Sequence, residues 1–434
     1  MLIKNNPAHK TGNVYVESHG CSANFADGEV MAGCLQSAGY CIVSDPDEAD
    51  VLIYNTCAVK TPTENRMFRL LKNAPSCKKL IVGGCLPLIN LARLREEVNF
   101  QGVIGPSPGC EIVNVVRKVE GGKEAIVLKR DFKPSLSLPR FTTSTFRRII
   151  PISYGCVSNC SYCAVRFARG KLRSHSISEI VDHIKKAVEE GISEIWLTAQ
   201  DLSCYGEDIG VTLLNLLEQA VKVKGKFYIR LGMMNPSYVN RLLPDLIKMY
   251  KEEKIFQFLH LPVQSGDNEV LKLMNRKYSV EEFKQIISCF RSELPRITVS
   301  TDIICGFPGE DDGAFKRSIR LLEEVKPNIT NLSKFHPRPG TLAENMKPVS
   351  SSIVKNRSRR LAELSRMISL KKNKEWLGWA GDVFVDEVGK YGTYMGRNFA
   401  YRPVVVNSED NILGKYVSVK ISGAFHNYLK GDVL

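Results

Sequence analysis

The sequence of 434 residues lacks the features that mark exported or membrane-spanning chains. Its first residues, MLIKNNPAHKTGN, contain no apolar stretch, so a secretory signal peptide is not expected. No run of about 18 apolar residues occurs, which excludes a transmembrane helix. The chain also has no internal repeat and no low-complexity tract. We therefore expect a cytoplasmic protein of several domains that has no membrane partner.

Acidic residues are scarcer than basic ones, with 46 Asp and Glu against 60 Lys and Arg, a net charge of +14. This excess predicts a polyanionic partner, of which nucleic acid is the commonest. A solvated basic surface that serves solubility is the alternative. The 13 cysteines come without an export signal, so metal or redox chemistry is a better expectation than a disulfide framework.

Strand and helix patterns alternate in two long segments of the chain. The first, with strands expected at 14–18, 51–55 and 79–84, predicts an α/β domain with a doubly wound parallel sheet. The second predicts a partial (β/α)6 barrel with strands at 149–153, 194–198, 227–231, 256–260, 297–304 and 329–335. Short strands with Gly and Asn turns near the end predict a small all-β barrel. The expected divisions are a first domain over 12–122, a linker over 123–143, the barrel domain over 144–371 and the β domain over 372–434.

Three cysteines, Cys156, Cys160 and Cys163, crowd into the loop after the first strand of the predicted barrel. An iron–sulfur cluster held by three thiolates keeps one iron open for a substrate or cofactor. Structural zinc would need a fourth ligand, and His175 could supply it, so both metals remain open from spacing alone.

The CxxxCxxC spacing, with Tyr162 before the last cysteine, resembles the radical S-adenosylmethionine superfamily. That resemblance implies that these cysteines are catalytic, because they hold a 4Fe-4S cluster whose open iron binds S-adenosylmethionine and cleaves it to a 5′-deoxyadenosyl radical. It also implies a cofactor pocket at the strand ends, in which Gln200 or Asp201 of LTAQD accepts from the methionine ammonium group. The remaining cofactor-binding residues implied by it are Tyr162, Gln264, Ser265 and Asp302.

Three further cysteines, Cys21, Cys57 and Cys85, each follow a strand of the predicted first sheet. The carboxyl ends of parallel strands meet in one crevice, so these thiols should converge, although buried core cysteines would fit the same positions. Their surroundings, G-C-S-x-N, N-T-C-x-V and G-C-x-P, resemble the N-terminal domain of the methylthiotransferases, in which such cysteines bind an auxiliary 4Fe-4S cluster. With a TRAM-like C-terminal barrel, the resemblance covers nearly the whole chain. The other seven cysteines are expected to be structural.

The methylthiotransferase resemblance implies an enzyme that inserts sulfur and a methyl group into a C–H bond and uses two S-adenosylmethionine molecules per turnover. The sequence DGEVMAG after Cys21 is most similar to the archaeal and eukaryotic group that acts on N6-threonylcarbamoyladenosine at position 37 of tRNA. The implied partners are a tRNA anticodon stem-loop and an electron donor such as a flavodoxin or ferredoxin. Isopentenyladenosine in tRNA and a ribosomal-protein aspartate are alternative substrates. A non-catalytic iron–sulfur protein that binds RNA or senses redox state is a further alternative.

A basic segment over 354–374 carries eight Lys and Arg and one Glu, which predicts a helix that contacts RNA phosphates. A solvated helix face is the alternative. The arginines chosen as candidate RNA contacts are Arg357, Arg359, Arg360 and Arg366. A second basic run, Arg166, Arg169 and Arg173, follows the CxxxCxxC motif. Its arginines are expected to lie near the cluster and a phosphate-bearing substrate, or to pair with carboxylates of the second barrel unit.

Overall fold

The structure is a computed structural model that describes residues 12–58, 61–130, 132–142 and 144–434. Two residues of the predicted linker, 131 and 143, lie outside the described residues. The described chain forms two compact units. The first contains the described residues up to 142 together with Ala164–Lys171, and the second contains Ser144–Cys163 and Leu172–Leu434.

The first unit is built on a parallel sheet of six strands in the order β2-β1-β3-β4-β5-β6. Its strands are β1 (Asn13–Ser18), β2 (Cys41–Val43), β3 (Val51–Thr56), β4 (Lys79–Gly84), β5 (Gly102–Ile104) and β6 (Ala125–Val127). Its helices are α1 (Ser22–Ser37), α2 (Thr61–Lys72), α3 (Leu86–Ile89), α4 (Leu91–Glu97), α5 (Glu111–Glu120) and α6 (Val165–Arg169).

Helices cover both faces of this sheet, which explains why its central strands are apolar throughout. Successive side chains of a strand point to opposite faces. Leu52 of β3 packs in one core with residues of α2, α3, α4 and α6. Its neighbour Ile53 packs in a second core with α1 and α5. A sheet buried on both faces needs continuous apolar strands, and the predicted doubly wound α/β fold is confirmed.

Two details of the first unit differ from the sequence-based expectation. Strand β6 lies inside the predicted linker over 123–143, where it pairs with β5. Cys34 of α1 and Cys110, the residue before α5, form a disulfide, although both were expected to be structural cysteines outside any disulfide framework. The two are separated by 76 residues, so no local spacing indicates the pair.

The second unit begins with the predicted six-stranded partial barrel. Its parallel strands are β7 (Arg147–Pro151), β10 (Glu194–Thr198), β11 (Tyr228–Leu231), β12 (Phe258–His260), β13 (Thr298–Cys305) and β14 (Ile329–Lys334). They form two three-stranded sheets, β11-β10-β7 and β12-β13-β14, and a bridge between Ile229 and Ile255 joins the two. The short strands β8 (Ser153–Tyr154) and β9 (Arg173–Ser174) pair beside the first sheet.

Helices alternate with these strands. They are α7 (Ile177–Glu189), α8 (Leu213–Ala220), α9 (Pro236–Tyr250), α10 (Asn268–Leu273), α11 (Val280–Glu293) and α12 (Asp312–Val325). Capping boxes start α7 at Ser176 and α11 at Ser279. In each, the serine hydroxyl accepts from the backbone amide of a glutamate three residues later, and the side chain of that glutamate accepts from the backbone amide of the serine. The longest described helix, α13 (Ser351–Lys374), follows β14. Among the described helices, none is both long and apolar enough to cross a bilayer.

The chain ends in a closed five-stranded barrel in the order β15-β16-β17-β19-β18. Its strands are β15 (Ala380–Val388), β16 (Thr393–Arg397), β17 (Pro403–Asn407), β18 (Tyr416–Ala424) and β19 (Leu429–Val433). Tyr401, between β16 and β17, packs its ring against Phe256 and Phe258. Arg147, the first residue of β7, bonds Asp386 of β15 at 2.5 Å. The small barrel therefore packs against the amino ends of the larger barrel's strands.

Candidate metal centres and cofactor pocket

Three cysteines of the first unit follow three neighbouring parallel strands. Cys21 comes three residues after β1, and Cys57 and Cys85 come directly after β3 and β4. Because β1, β3 and β4 are adjacent and parallel, their carboxyl ends lie side by side. Cys57 and Cys85 are buried and Cys21 is exposed. The sequence-based expectation that these loops meet agrees with the strand order.

Two glycines show how closely the three loops approach one another. A Cβ on Gly20, whose φ is +113°, would lie 2.4 Å from the Cβ of Cys57 and 2.9 Å from its sulfur. A Cβ on Gly84 would lie 2.3 Å from the carbonyl oxygen of Thr56, and the next amide, that of Cys85, donates to this oxygen at 3.0 Å. Only glycine tolerates both the left-handed backbone and the approach at Gly20.

The environment of these thiols combines burial with one cation. Burial raises the pKa of the Cys85 thiol to about 12, the neighbouring Cys57 and Cys21 thiols raise it as well, and the guanidinium of Arg169 lowers it. Asn24 lies beside them, because its Oδ1 is 3.9 Å from the sulfur of Cys85 and its Nδ2 donates to Thr56 O at 2.9 Å. The three thiols thus form one electrostatically connected group.

The second set of cysteines lies in the second unit after β8. Cys156, Cys160 and Cys163 are all partly buried and free. The amide of Ser158 donates to the sulfur of Cys156 at 3.3 Å. Burial and, to a smaller extent, the nearby Asp201 carboxyl raise the pKa of Cys156 to about 11.

A segment after α10 holds the loop that carries these cysteines. Ser161 donates through its amide to Met274 O at 3.1 Å and through its hydroxyl to Leu273 O at 2.7 Å. Arg276 donates to the sulfur of Cys160 at 3.2 Å and, through Nε, to the hydroxyl of Tyr278 at 3.0 Å. Arg276 was not among the residues that the sequence pointed to. No spacing rule connects a residue with a cysteine 116 positions away.

The two pocket candidates after β10 differ in whether their oxygens already accept hydrogen bonds. Asp201 is 2% exposed, and its Oδ1 accepts from the amide and hydroxyl of Ser203 at 3.1 and 2.5 Å and from the amide of Asn235 at 3.2 Å. Burial raises the pKa of Asp201, and the hydrogen bond from Ser203 opposes that rise. Gln200, in contrast, presents a buried Oε1 that accepts no hydrogen bond from the described residues.

The remaining pocket candidates lie at or near the ends of neighbouring barrel strands. Gln264 has a positive φ of 71° and donates through its amide to Asp302 O at 2.8 Å. The carboxylate of Asp302 bonds His260 Nε2 at 3.0 Å and accepts from Asn331 Nδ2 at 2.8 Å.

Ser265 and Tyr162 complete the set of pocket candidates. The hydroxyl of Ser265, which is 1% exposed, accepts from the amide of Asp267 at 3.2 Å. The ring of Tyr162 packs edge-on against Phe307 with centroids 6.2 Å apart. Ser265 is thus held by its own turn, and Tyr162 belongs to an aromatic cluster.

Each set offers three thiols, the donor atoms that iron–sulfur clusters use. Among the described residues, no three His, Cys, Asp or Glu side chains converge on one ion. Each thiolate of a 4Fe-4S cluster binds a different iron atom. The cysteine ligands of such a cluster therefore lie farther apart than the ligands of a single zinc ion. His175, the fourth ligand that zinc would need, is 0% exposed and faces Glu179 at 3.7 Å. The zinc alternative therefore gains no support.

The predicted RNA-contacting arginines divide into two kinds along α13. Arg359, Arg360 and Arg366 are exposed. Arg357 is buried and donates to Glu310 at 2.8 Å and to Asp312 at 2.6 Å. Both acceptors are carboxylates of its own unit, so Arg357 already has partners inside the protein, and its predicted contact with RNA gains no support from the structure.

In the basic run after the CxxxCxxC motif, Arg169 has a carboxylate partner other than the one expected. Arg169 is buried in the first unit and bonds Asp27, so its carboxylate partner does not come from the second barrel unit. Arg166 is exposed and Arg173 is partly buried. Asn24 and Asp27 lie on α1 within the G-C-S-x-N and DGEVMAG motifs, and the motifs gave no indication that both side chains bond Arg169.

Comparison with known proteins gives three family matches in order along the chain. Residues 13–105 match the family described as uncharacterized protein family UPF0004, residues 150–322 the radical SAM superfamily, and residues 381–434 the TRAM domain. In structure, the chain is similar to the radical S-adenosylmethionine methyltransferase TsrM from Kitasatospora setae. The TM-score is 0.56 at 13% identity, and 77% of each chain is covered. The fold and the site thus define a radical S-adenosylmethionine protein.

Curated relatives define the family within that class. The chain is 42% identical to a probable threonylcarbamoyladenosine tRNA methylthiotransferase of Pyrococcus abyssi, over 97% of this chain and 99% of the relative. It is 36% identical to the Xenopus laevis enzyme of that name, over 97% of this chain and 77% of the relative. The chain belongs to the family of threonylcarbamoyladenosine tRNA methylthiotransferases. It is therefore a radical S-adenosylmethionine enzyme whose cofactors are 4Fe-4S clusters and S-adenosylmethionine.

Proposed function

We propose that this protein methylthiolates N6-threonylcarbamoyladenosine at position 37 of tRNA, using two 4Fe-4S clusters. The observation that carries the proposal is the presence of two separate sets of three cysteines, each in loops at one edge of a parallel sheet. A redox sensor or a simple RNA-binding protein has no use for the second set beside a cofactor pocket. The names of the relatives support the substrate.

In this proposal Cys21, Cys57 and Cys85 hold the auxiliary cluster, which supplies the sulfur. Two of the three thiols are buried, and the loops that carry them are fixed by backbone hydrogen bonds such as Cys85 N to Thr56 O. A rigid, dry set of ligands favours a cluster because little ordering remains to be done when iron binds. Gly20 keeps the first loop close enough for its cysteine to share that cluster.

Cys156, Cys160 and Cys163 hold the second cluster, which cleaves bound S-adenosylmethionine and so provides the hydrogen abstraction that no side chain could perform. Around it, Arg276 and the amide of Ser158 donate to two of the sulfurs. Such hydrogen bonds stabilise thiolate ligands and tune the cluster. Tyr162 shields the loop from water by packing against Phe307.

Gln200 is the proposed acceptor for the ammonium group of S-adenosylmethionine. Its Oε1 is buried and accepts no hydrogen bond from the part of the chain that the structure describes, which is costly unless a ligand donates to it. Asp201 instead positions the loop, since its Oδ1 already accepts three hydrogen bonds. Gln264, Ser265 and Asp302 complete the proposed pocket on the neighbouring strand ends.

The proposed nucleic-acid partner is the tRNA anticodon stem-loop, which Arg359, Arg360 and Arg366 contact through phosphates. These arginines are exposed on α13, and the TRAM match lies immediately after that helix. A flavodoxin or ferredoxin is the proposed electron donor. Because the substrate and such donors occur in the cytoplasm, that compartment is part of the proposal.

The test is mass spectrometry of tRNA nucleosides from a strain that lacks the gene and from the same strain complemented with it. We expect the 2-methylthio derivative of threonylcarbamoyladenosine to disappear and to return on complementation, while threonylcarbamoyladenosine itself persists. Loss of methylthiolated isopentenyladenosine, or of a methylthiolated ribosomal-protein aspartate, would change the substrate and leave the chemistry. No change in any methylthiolated species would contradict the proposal.

A further inference from the structure

Arg169 is a buried cation beside the candidate auxiliary-cluster ligands. It is the last residue of α6, in the short stretch Ala164–Lys171 that belongs to the first unit. Only 2% of its side chain is exposed. Burying a guanidinium is expensive unless it is hydrogen-bonded and paired, so its position needs a reason.

The guanidinium is held in one orientation by three side chains of the same unit. Its Nη2 donates to Asp27 Oδ2 at 2.8 Å and to Asn24 Oδ1 at 2.6 Å. Its Nη1 donates to the hydroxyl of Ser107 at 3.1 Å. Ser107 in turn donates to Asp27 Oδ1 at 2.9 Å, so the carboxylate is fixed as well. A network of this kind restricts the position of the charge closely.

The same guanidinium is electrostatically connected to the thiols. The Oδ1 atom of Asn24, which accepts from Arg169 Nη2 at 2.6 Å, lies 3.9 Å from the sulfur of Cys85. One side-chain oxygen therefore separates the guanidinium from that thiol. Three thiolates and Asp27 would place four negative charges around one cation, so the cation matters most when the thiolates are ionised.

We propose that Arg169 is a positioning residue for the auxiliary cluster, where its charge faces the Cys85 thiolate and stabilises the reduced, more negative state of the cluster. Asp27 and Asn24 aim the guanidinium, and α6 packs against α3, the helix that starts at Cys85. The inference rests on the proposed assignment of Cys21, Cys57 and Cys85 as cluster ligands. It concerns the reduction potential and adds a residue that the ligand motifs do not contain.

The experiment uses the full-length chain in which Cys156, Cys160 and Cys163 are alanine, so that the auxiliary cluster is the one that remains. Into this background we would introduce Arg169→Gln, Asp27→Asn or Lys171→Gln. Lys171 is exposed and lies in the same stretch, so it controls for the loss of a positive charge. The readouts are iron per chain and the midpoint potential from a redox titration followed by electron paramagnetic resonance.

Arg169→Gln should lower the ratio of reduced to oxidised cluster at least tenfold at the original midpoint, which is a shift of about 59 mV for a one-electron couple. Asp27→Asn removes a negative charge near the same thiols and should shift the potential in the opposite direction. Lys171→Gln should leave the potential unchanged. Iron should stay at about four atoms per chain in each variant.

A merely structural role for Arg169 makes a different set of predictions. If Arg169→Gln and Asp27→Asn shift the potential in the same direction, or if Arg169→Gln behaves like Lys171→Gln, the inference is overturned. If Arg169→Gln loses its iron, Arg169→Lys is the variant to measure. Recovery of iron and of the original potential in Arg169→Lys would support a role for the positive charge, and a large shift of its potential would contradict that role. A background protein without iron would overturn the ligand assignment, and with it this inference.

Discussion

The exposed arginines of α13 offer a quantitative test of RNA binding. Changing Arg359, Arg360 and Arg366 to Gln removes up to three phosphate contacts. Each lost contact should reduce the slope of log K against log salt by roughly 0.9 on a duplex stem, or roughly 0.7 on single-stranded RNA. Three contacts on a stem amount to about 2.7, so between 50 and 200 mM salt the original protein should lose about 40-fold more affinity than the variant does.

The assay is tRNA binding by fluorescence anisotropy at four salt concentrations. The matched control is Arg357→Gln on the same helix, because Arg357 pairs with Glu310 and Asp312 inside the protein. That change should lower thermal stability, since it leaves a buried carboxylate unpaired, while the salt slope stays at the original value. An unchanged slope in the triple variant would show that α13 is a solvated face. A reduced slope in the control would refute the division of the helix into buried and exposed arginines.

Three further predictions address the sites one at a time. Gly20→Ala should lower iron from about eight towards about four atoms per chain. Gly122 also has a positive φ, of +74°, but open space around it, so Gly122→Ala should keep the iron. Equal iron in both variants would contradict the role of the close approach at Gly20. Cys110→Ser removes the disulfide to Cys34 and should lower the melting temperature under non-reducing conditions. Loop entropy sets an upper limit of about 4.5 kcal/mol on the lost free energy of unfolding, and in reductant the variant should melt like the original protein. Gln200→Met should raise KM for S-adenosylmethionine roughly tenfold to hundredfold at unchanged iron content, and an unchanged KM would assign the ammonium to another acceptor.

The fold could be predicted from the sequence because hydrophobic periodicity and strand–helix alternation are local signals. The apolar run VLIYN predicts a strand, which the structure has as β3, and the neighbouring elements follow in the same way. Cysteines at the ends of predicted parallel strands also indicated a site, because the carboxyl ends of such strands meet at one edge of the sheet. Strand β6 was missed because its three residues give too short a pattern.

The side-chain contacts that sequence reasoning missed depend on residues far apart along the chain. The bonds of Arg276 to Cys160 and of Arg169 to Asp27 join residues 116 and 142 positions apart. The same holds for the disulfide of Cys34. The sequence also gave no indication that Arg357 differs from the other arginines of α13, because a basic helix looks uniform in sequence although Arg357 bonds the buried Glu310. Such assignments need the packed structure.

The central claim is that the two cysteine sets hold two clusters with separate tasks. The most direct measurement uses a variant in which Cys21, Cys57 and Cys85 are alanine and tRNA that carries threonylcarbamoyladenosine. It quantifies 5′-deoxyadenosine and methylthiolated nucleoside in the same reaction. We predict that this variant still forms 5′-deoxyadenosine and that the tRNA gains no methylthio group. Methylthiolated product from that variant, or loss of 5′-deoxyadenosine formation in a variant that retains about four irons, would contradict the account.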